Sequence, residues 1–106
     1  MKTKILTIGR HPEILQTLLR LINQNPVWEG IGTIDEKEAV QLFLQGKYDL
    51  VLLGGGIEEE VETKLRAAFT QHNPAIVIIQ HYGGGSGLLT GEIFEALAKK
   101  NKQEDY

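Results

Sequence analysis

Tyr48-Asp49-Leu50-Val51-Leu52-Leu53-Gly54-Gly55-Gly56 decides the fold. Leu50 to Leu53 is an unbroken apolar run, and with Asp49 it reads as a strand, too short for a helix. A strand that is apolar at every position is buried on both faces, as in a parallel sheet covered by helices. The run then opens into three glycines, which offer backbone and no side chain.

Outward from this strand, the pattern alternates. Ile5-Leu6-Thr7-Ile8 is a first short strand ending at Gly9. Pro12 suits a first helical turn, and Ile14, Leu15, Leu18, Leu21 and Ile22 recur at helical spacing until Asn25-Pro26. Val27 to Ile34, with Trp28 and Thr33, suits a second strand at an edge, weakened by Gly30 and Gly32. Asp35 followed by Glu38 is a capping signature. The helix after it is expected to bury Ala39, Val40, Phe43 and Leu44 and to end at Gly46.

Beyond the glycines, Ile57, Val61, Leu65, Ala68 and Phe69 mark one helix face, with Glu58, Glu59 and Glu60 in its first turn. Asn73-Pro74 ends it, and Ala75 to Ile79 reads as a fourth strand. Leu88-Leu89-Thr90 reads as a short fifth strand. A last helix is expected from Glu92 to about Lys100, burying Ile93, Phe94 and Leu97. The expectation is one α/β domain over residues 1–101, a doubly wound parallel sheet of four or five strands with about four helices, and a frayed tail over 102–106.

The whole-chain properties narrow function mainly by exclusion. One core accounts for 106 residues, since single domains usually take about 100–200. With 42% hydrophobic and 24% charged residues the chain is an ordinary globule rather than a disordered one. A net charge of −3 argues against a nucleic-acid partner, whose phosphates need clustered Lys and Arg. The absence of cysteine excludes disulfides, thiolate nucleophiles and cysteine-ligated metals. The longest apolar runs are about six residues, against the roughly 20 of a membrane-spanning helix. The Met1-Lys2-Thr3-Lys4 start leads straight into a strand pattern, so no membrane association and a cytoplasmic location are expected.

Four segments in this order resemble the receiver domain of two-component response regulators: Lys4-Ile5-Leu6-Thr7-Ile8 with Pro12; Gly32-Thr33-Ile34 leading into Glu38-Ala39; Tyr48 to Leu53; and Pro74-Ala75-Ile76-Val77-Ile78. The resemblance covers about residues 3 to 81. It implies a flavodoxin-like, CheY-like fold with sheet order 2-1-3-4-5. It also implies a site at the carboxyl edge of the sheet. There an acidic pair after the first strand holds Mg²⁺, and an Asp after the third accepts the phosphoryl group. A Thr or Ser after the fourth strand and a Lys after the fifth bind the phosphate. Hard oxygen ligands and a carboxylate nucleophile are what that chemistry requires.

This chain departs from the pattern at each place. The acidic pair falls on Gly9 and Arg10, the phosphoacceptor on Gly54, the Thr/Ser on Ile79 or Gln80, and the Lys on Thr90. No Asp or Glu lies in residues 5–12, 50–57 or 75–91. Asp49 begins its strand, about 15 Å from the far end at roughly 3.3 Å per residue. The chain is also shorter than a receiver, as if the fourth helix were deleted. The expectation is therefore a pseudo-receiver that is not an enzyme, needs no Mg²⁺ or other cofactor, and works through protein partners, with a homodimer among them.

Other features have plainer readings beside their functional ones. Gly54, Gly55 and Gly56 with Arg10 could form an anion-binding nest for a small anion or nucleotide. The three glutamates beyond them would repel such an anion, and a permissive turn explains the glycines as well. Gly83 to Gly91, after a strand and before a helix, imitates a dinucleotide loop with GxGxxxG from Gly85 to Gly91, but such a loop belongs on the first strand of a βαβ unit with an acidic residue about 20 positions on. A tether in place of a lost helix is the plainer account. His11 and His81 follow strands one and four, His72 precedes strand four, and two imidazoles without a carboxylate make a poor metal site. All three are expected to be surface or capping groups. Trp28 and Tyr82 are candidate exposed aromatics, although a Trp at that position more often packs on a helix.

Overall fold

The structure, a computed structural model, describes residues 2–81 and 86–104, with backbone alone for residues 86–88 and 100–104. Strands β1 (Thr3–Ile8), β2 (Trp28–Thr33), β3 (Leu50–Leu53) and β4 (Val77–Gln80) form one sheet in the order β2-β1-β3-β4, every pairing parallel. Helices α1 (Pro12–Asn23), α2 (Glu36–Gln45), α3 (Glu59–His72) and α4 (Ser86–Glu104) alternate with them. No helix among the described residues is long and apolar enough to cross a membrane.

Strand side chains alternate between two cores, as the pleat requires. Ile5, Leu50 and Leu52 meet Leu18 and Ile22 of α1 and Leu89, Ile93 and Ala96 of α4. Leu6, Ile8, Val51 and Leu53 meet Ala39, Phe43, Leu65 and Phe69 of α2 and α3. The four residues of β3 are all buried, which accounts for its unbroken apolar sequence. The Phe43 and Phe69 rings pack at 4.5 Å between centroids, joining α2 to α3. Asp35 caps α2 as expected, its Oδ1 accepting from the Lys37 N–H at 2.9 Å. At the far edge, Gly30 and Gly32 let α1 close on β2. A Cβ at either glycine would come within 2.9 Å of Ile22 or Leu19.

The fifth strand is not there among the described residues. Leu88-Leu89-Thr90 lies in α4, which begins at Ser86 rather than Glu92 and runs to Glu104. The reason is packing. Leu89, Ile93 and Ala96 recur at helical spacing and fill the core between α1 and the sheet. The sheet thus stops at β4, and the order is 2-1-3-4. Tertiary packing shifts the expected cores too. Ile14, Leu44 and Phe94 are more than half exposed, on the flanks of their helices. Trp28 is buried, its ring 4.9 Å from that of Phe94 on α4. Tyr82, Gly83 to Gly85 and residues 105–106 lie outside the described residues, so the exposed-aromatic reading of Tyr82 and the dinucleotide-like loop fall there in part.

Candidate functional site

All four strands point the same way, so their carboxyl ends and the loops after them gather along one edge. Backbone hydrogen bonds tie each strand exit to its neighbour. The Gly9 N–H donates to Thr33 O at 3.2 Å, Gly54 to Ile8 O at 2.7 Å, and His81 to Leu53 O at 2.8 Å. Gly9, Gly54 and His81 therefore stand in one row. The three donors are spent within the row, as buried backbone donors must find an acceptor.

Gly54 is buried, and a Cβ added there would lie 3.3 Å from Ile8 O and 3.7 Å from Gly9 Cα and Leu18 Cδ1. The space beside the row is taken by backbone and by α1. Gly55 is exposed with nothing near its Cβ position. Gly56 has φ +85°, a left-handed turn that glycine adopts without strain, and it sits against His11 Nε2 and Arg10 Cβ.

The structure thus brings Arg10, Gly54, Gly55 and Gly56 together. It also gives Arg10 other company. The guanidinium is 3.9 Å from Glu58 Oε1 and 4.0 Å from Glu36 Oε2, at the N-terminal ends of α3 and α2. Both carboxylates are well exposed, so each pair is a weak, screened contact. Arg10 Nε is buried without a hydrogen-bond partner among the described residues.

The other positions separate. Ile79 turns inward to pack on the α1 and α4 core. Gln80 ends β4 opposite Leu53. Thr90 is not at a strand end at all; it is a half-buried residue of α4 with a partner of its own. His72 lies at the opposite end of α3, edge-on to Phe43 at 5.8 Å.

His81 overturns its surface reading. It is buried, and its Nδ1 lies 3.0 Å from Glu92 Oε1 on α4. A carboxylate does orient this imidazole, across a contact of 11 residues that no local motif signals. The pair holds the start of α4 to the end of β4.

A divalent cation of the receiver type does not fit this row. Gly9, Arg10 and Gly54 offer no side-chain oxygen, and the one charged group they bring is a guanidinium, a cation where hard oxygen ligands would be needed. Among the described residues no group of three or more His, Asp or Glu is arranged to hold a metal.

No protein-family model and no curated protein matches the sequence. Solved structures do. The signal receiver domain of an HD domain-containing protein from Pseudomonas fluorescens Pf-5 superposes with a TM-score of 0.82 at 18% identity, covering 98% of this chain and 93% of that one. A CheY-like response regulator receiver domain protein from Methanospirillum hungatei JF-1 gives 0.81 at 14% identity, covering 97% and 99%. The lactose-specific IIB component of a phosphotransferase system from Streptococcus pneumoniae gives 0.63 at 15%, covering 96% and 97%. With the parallel order 2-1-3-4 and helices on both faces, the chain has the flavodoxin-like fold of CheY-like response-regulator receiver domains.

Proposed function

We propose that this chain is a pseudo-receiver: a signalling module on a receiver scaffold that takes up no phosphoryl group and acts through contacts with other proteins. The observation that carries the reading is the row Gly9, Gly54, His81, with Arg10 beside it. Phosphoryl transfer needs a carboxylate nucleophile and a metal or cation to meet the moving charge. None of the row's own residues is a carboxylate, the Glu92 carboxylate beside it is engaged by His81, and the row's cation, Arg10, faces Glu36 and Glu58. Without a convergent nucleophile, base and electrophile there is no basis for an enzymatic role. What the scaffold retains is shape and surface, and those suffice for regulated binding.

The anion or nucleotide alternative has weaker support. The Gly54 N–H is spent on Ile8 O, and Glu58, Glu59 and Glu60 crowd the start of α3 with negative charge. Intact-mass analysis after incubation with acetyl phosphate and Mg²⁺ tests the reading. The expected result is no adduct. A phosphorylated species abolished by substitution of a single carboxylate would overturn it.

A further inference from the structure

We propose that the groove between α2 and α3 docks an acidic amphipathic helix of a partner protein. The inference rests on the reading of the chain as a contact module and gives that module a surface and a partner chemistry.

The first observation is an apolar surface that the fold leaves open. Helices α2 and α3 meet through the buried rings of Phe43 and Phe69. One turn before each ring, Val40 and Leu65 line a groove of about 460 Å³, together with Ala68. Val40 and Ala68 belong to apolar helix faces, yet both are only half-buried. The lining runs over residues 36–41 of α2 and 64–68 of α3, somewhat more than one turn of each. That length suits a third helix, whose side chains one turn apart form a ridge that packs into such a groove.

The second observation is the charge at the rim. Lys37 from α2 and Lys64 from α3 both line the groove and are exposed. The ion pairs among the described residues engage Arg10, Arg66, His81 and Lys99, and neither of these lysines. Glu60 stands one turn before Lys64, a spacing that favours pairing along a helix, but the two are not paired. Glu36, the one acid in the lining, faces Arg10 at 4.0 Å. In a chain whose net charge is −3, the groove therefore sets two cations without an ion-pair partner among the described residues over an apolar floor.

Complementarity then selects the occupant. Apolar side chains one turn apart fill the floor, which the aliphatic stems of the two lysines extend. Carboxylates flanking those side chains reach Lys37 and Lys64. A basic helix would meet like charge on both rims, and an uncharged one would leave both lysines unanswered.

An amide NMR titration of the full chain tests this with three synthetic helical peptides. The first carries leucines one turn apart flanked by glutamates, the second has lysine for each glutamate, and the third has alanine for each leucine. Saturable shifts centred on Val40, Gln41, Leu65 and Ala68 are expected with the first. The second and third are expected to bind about tenfold or more weakly. Replacing both exposed lysines, Lys37→Glu with Lys64→Glu, is expected to weaken the first peptide by about tenfold at low salt and by less at high salt. No saturable shift with the first peptide at millimolar concentration, shifts centred elsewhere, or equal affinity for the lysine peptide overturns the proposal. So do the same shifts on concentrating the chain alone, which make a second copy the occupant. If the double variant does not fold, the comparison of the three peptides decides. Each overturning result leaves the missing phosphosite untouched.

Discussion

His81 Nδ1 and Glu92 Oε1 lie 3.0 Å apart, one on the residue after β4 and the other on α4. This contact and the Leu89–Ile93–Ala96 face fix the last helix on the α1 side of the sheet. Glu92→Ala leaves a buried imidazole without its acceptor. The expected loss is about 1–3 kcal/mol of stability, read from urea unfolding, with Glu92→Gln losing less because an acceptor remains. A Glu92→Ala variant as stable as wild type would show that the core alone holds α4.

Gly54 faces a carbonyl oxygen, not an empty site. A Cβ there meets Ile8 O at 3.3 Å, and a carboxylate beyond it adds buried negative charge. Gly54→Asp is expected to cost about 1–3 kcal/mol and to confer no Mg²⁺ binding, because Gly9 and Arg10 still offer no side-chain oxygen. Urea unfolding and Mg²⁺ calorimetry check the two halves of this expectation.

The close approach of α1 to β2 predicts a contrast among glycines. Gly32→Ala sets a methyl within 2.9 Å of Leu19 Cδ1 and 3.0 Å of Leu15 Cδ1, and is expected to cost about 1–3 kcal/mol. Gly55→Ala meets nothing within 4 Å, and its effect is expected within about 0.5 kcal/mol of zero. Equal melting points for the two variants would contradict the packing described.

Burial, and then the nearby charge of Glu29, raise the Tyr48 phenol above its ordinary value of 10.0. Below that value the folded and unfolded states both hold the proton, and the contribution to stability is complete. Above it the unfolded chain ionises first, so stability falls as pH rises toward the folded-state value. Tyr48→Phe is expected to flatten this alkaline loss, measured by denaturant unfolding across that range. An identical alkaline slope in wild type and variant would contradict it.

The elements that share two cores are legible because their burial leaves a periodic trace. Leu50 to Leu53 is apolar throughout since both its faces are covered, and Asp35 announces α2 through capping chemistry. Leu88-Leu89-Thr90 misleads because glycines on either side look like breakers, although Leu89, Ile93 and Ala96 already show the helical repeat. Gly91 meets nothing within 4 Å and is simply tolerated inside α4. With the helix start misplaced, the phase of Glu92 is lost, and with it the partner of His81. The exposure of Ile14, Leu44 and Phe94 is a matter of which flank of an apolar stripe meets the sheet. That depends on tertiary packing, which spacing alone does not fix. Gly9 and Gly54 of the row, and Arg10 beside it, are legible in their residue types. The engagement of Arg10 by Glu36 and Glu58 is not, because it joins the loop after β1 to the starts of two separate helices.

The most direct test of the central claim is an NMR titration of the full chain with beryllofluoride and Mg²⁺, which together mimic a phosphorylated carboxylate. For a pseudo-receiver, the amide resonances of Gly9, Arg10, Gly54, Gly55, Gly56 and His81 are expected not to move. Saturable, Mg²⁺-dependent shifts centred on those residues would contradict it.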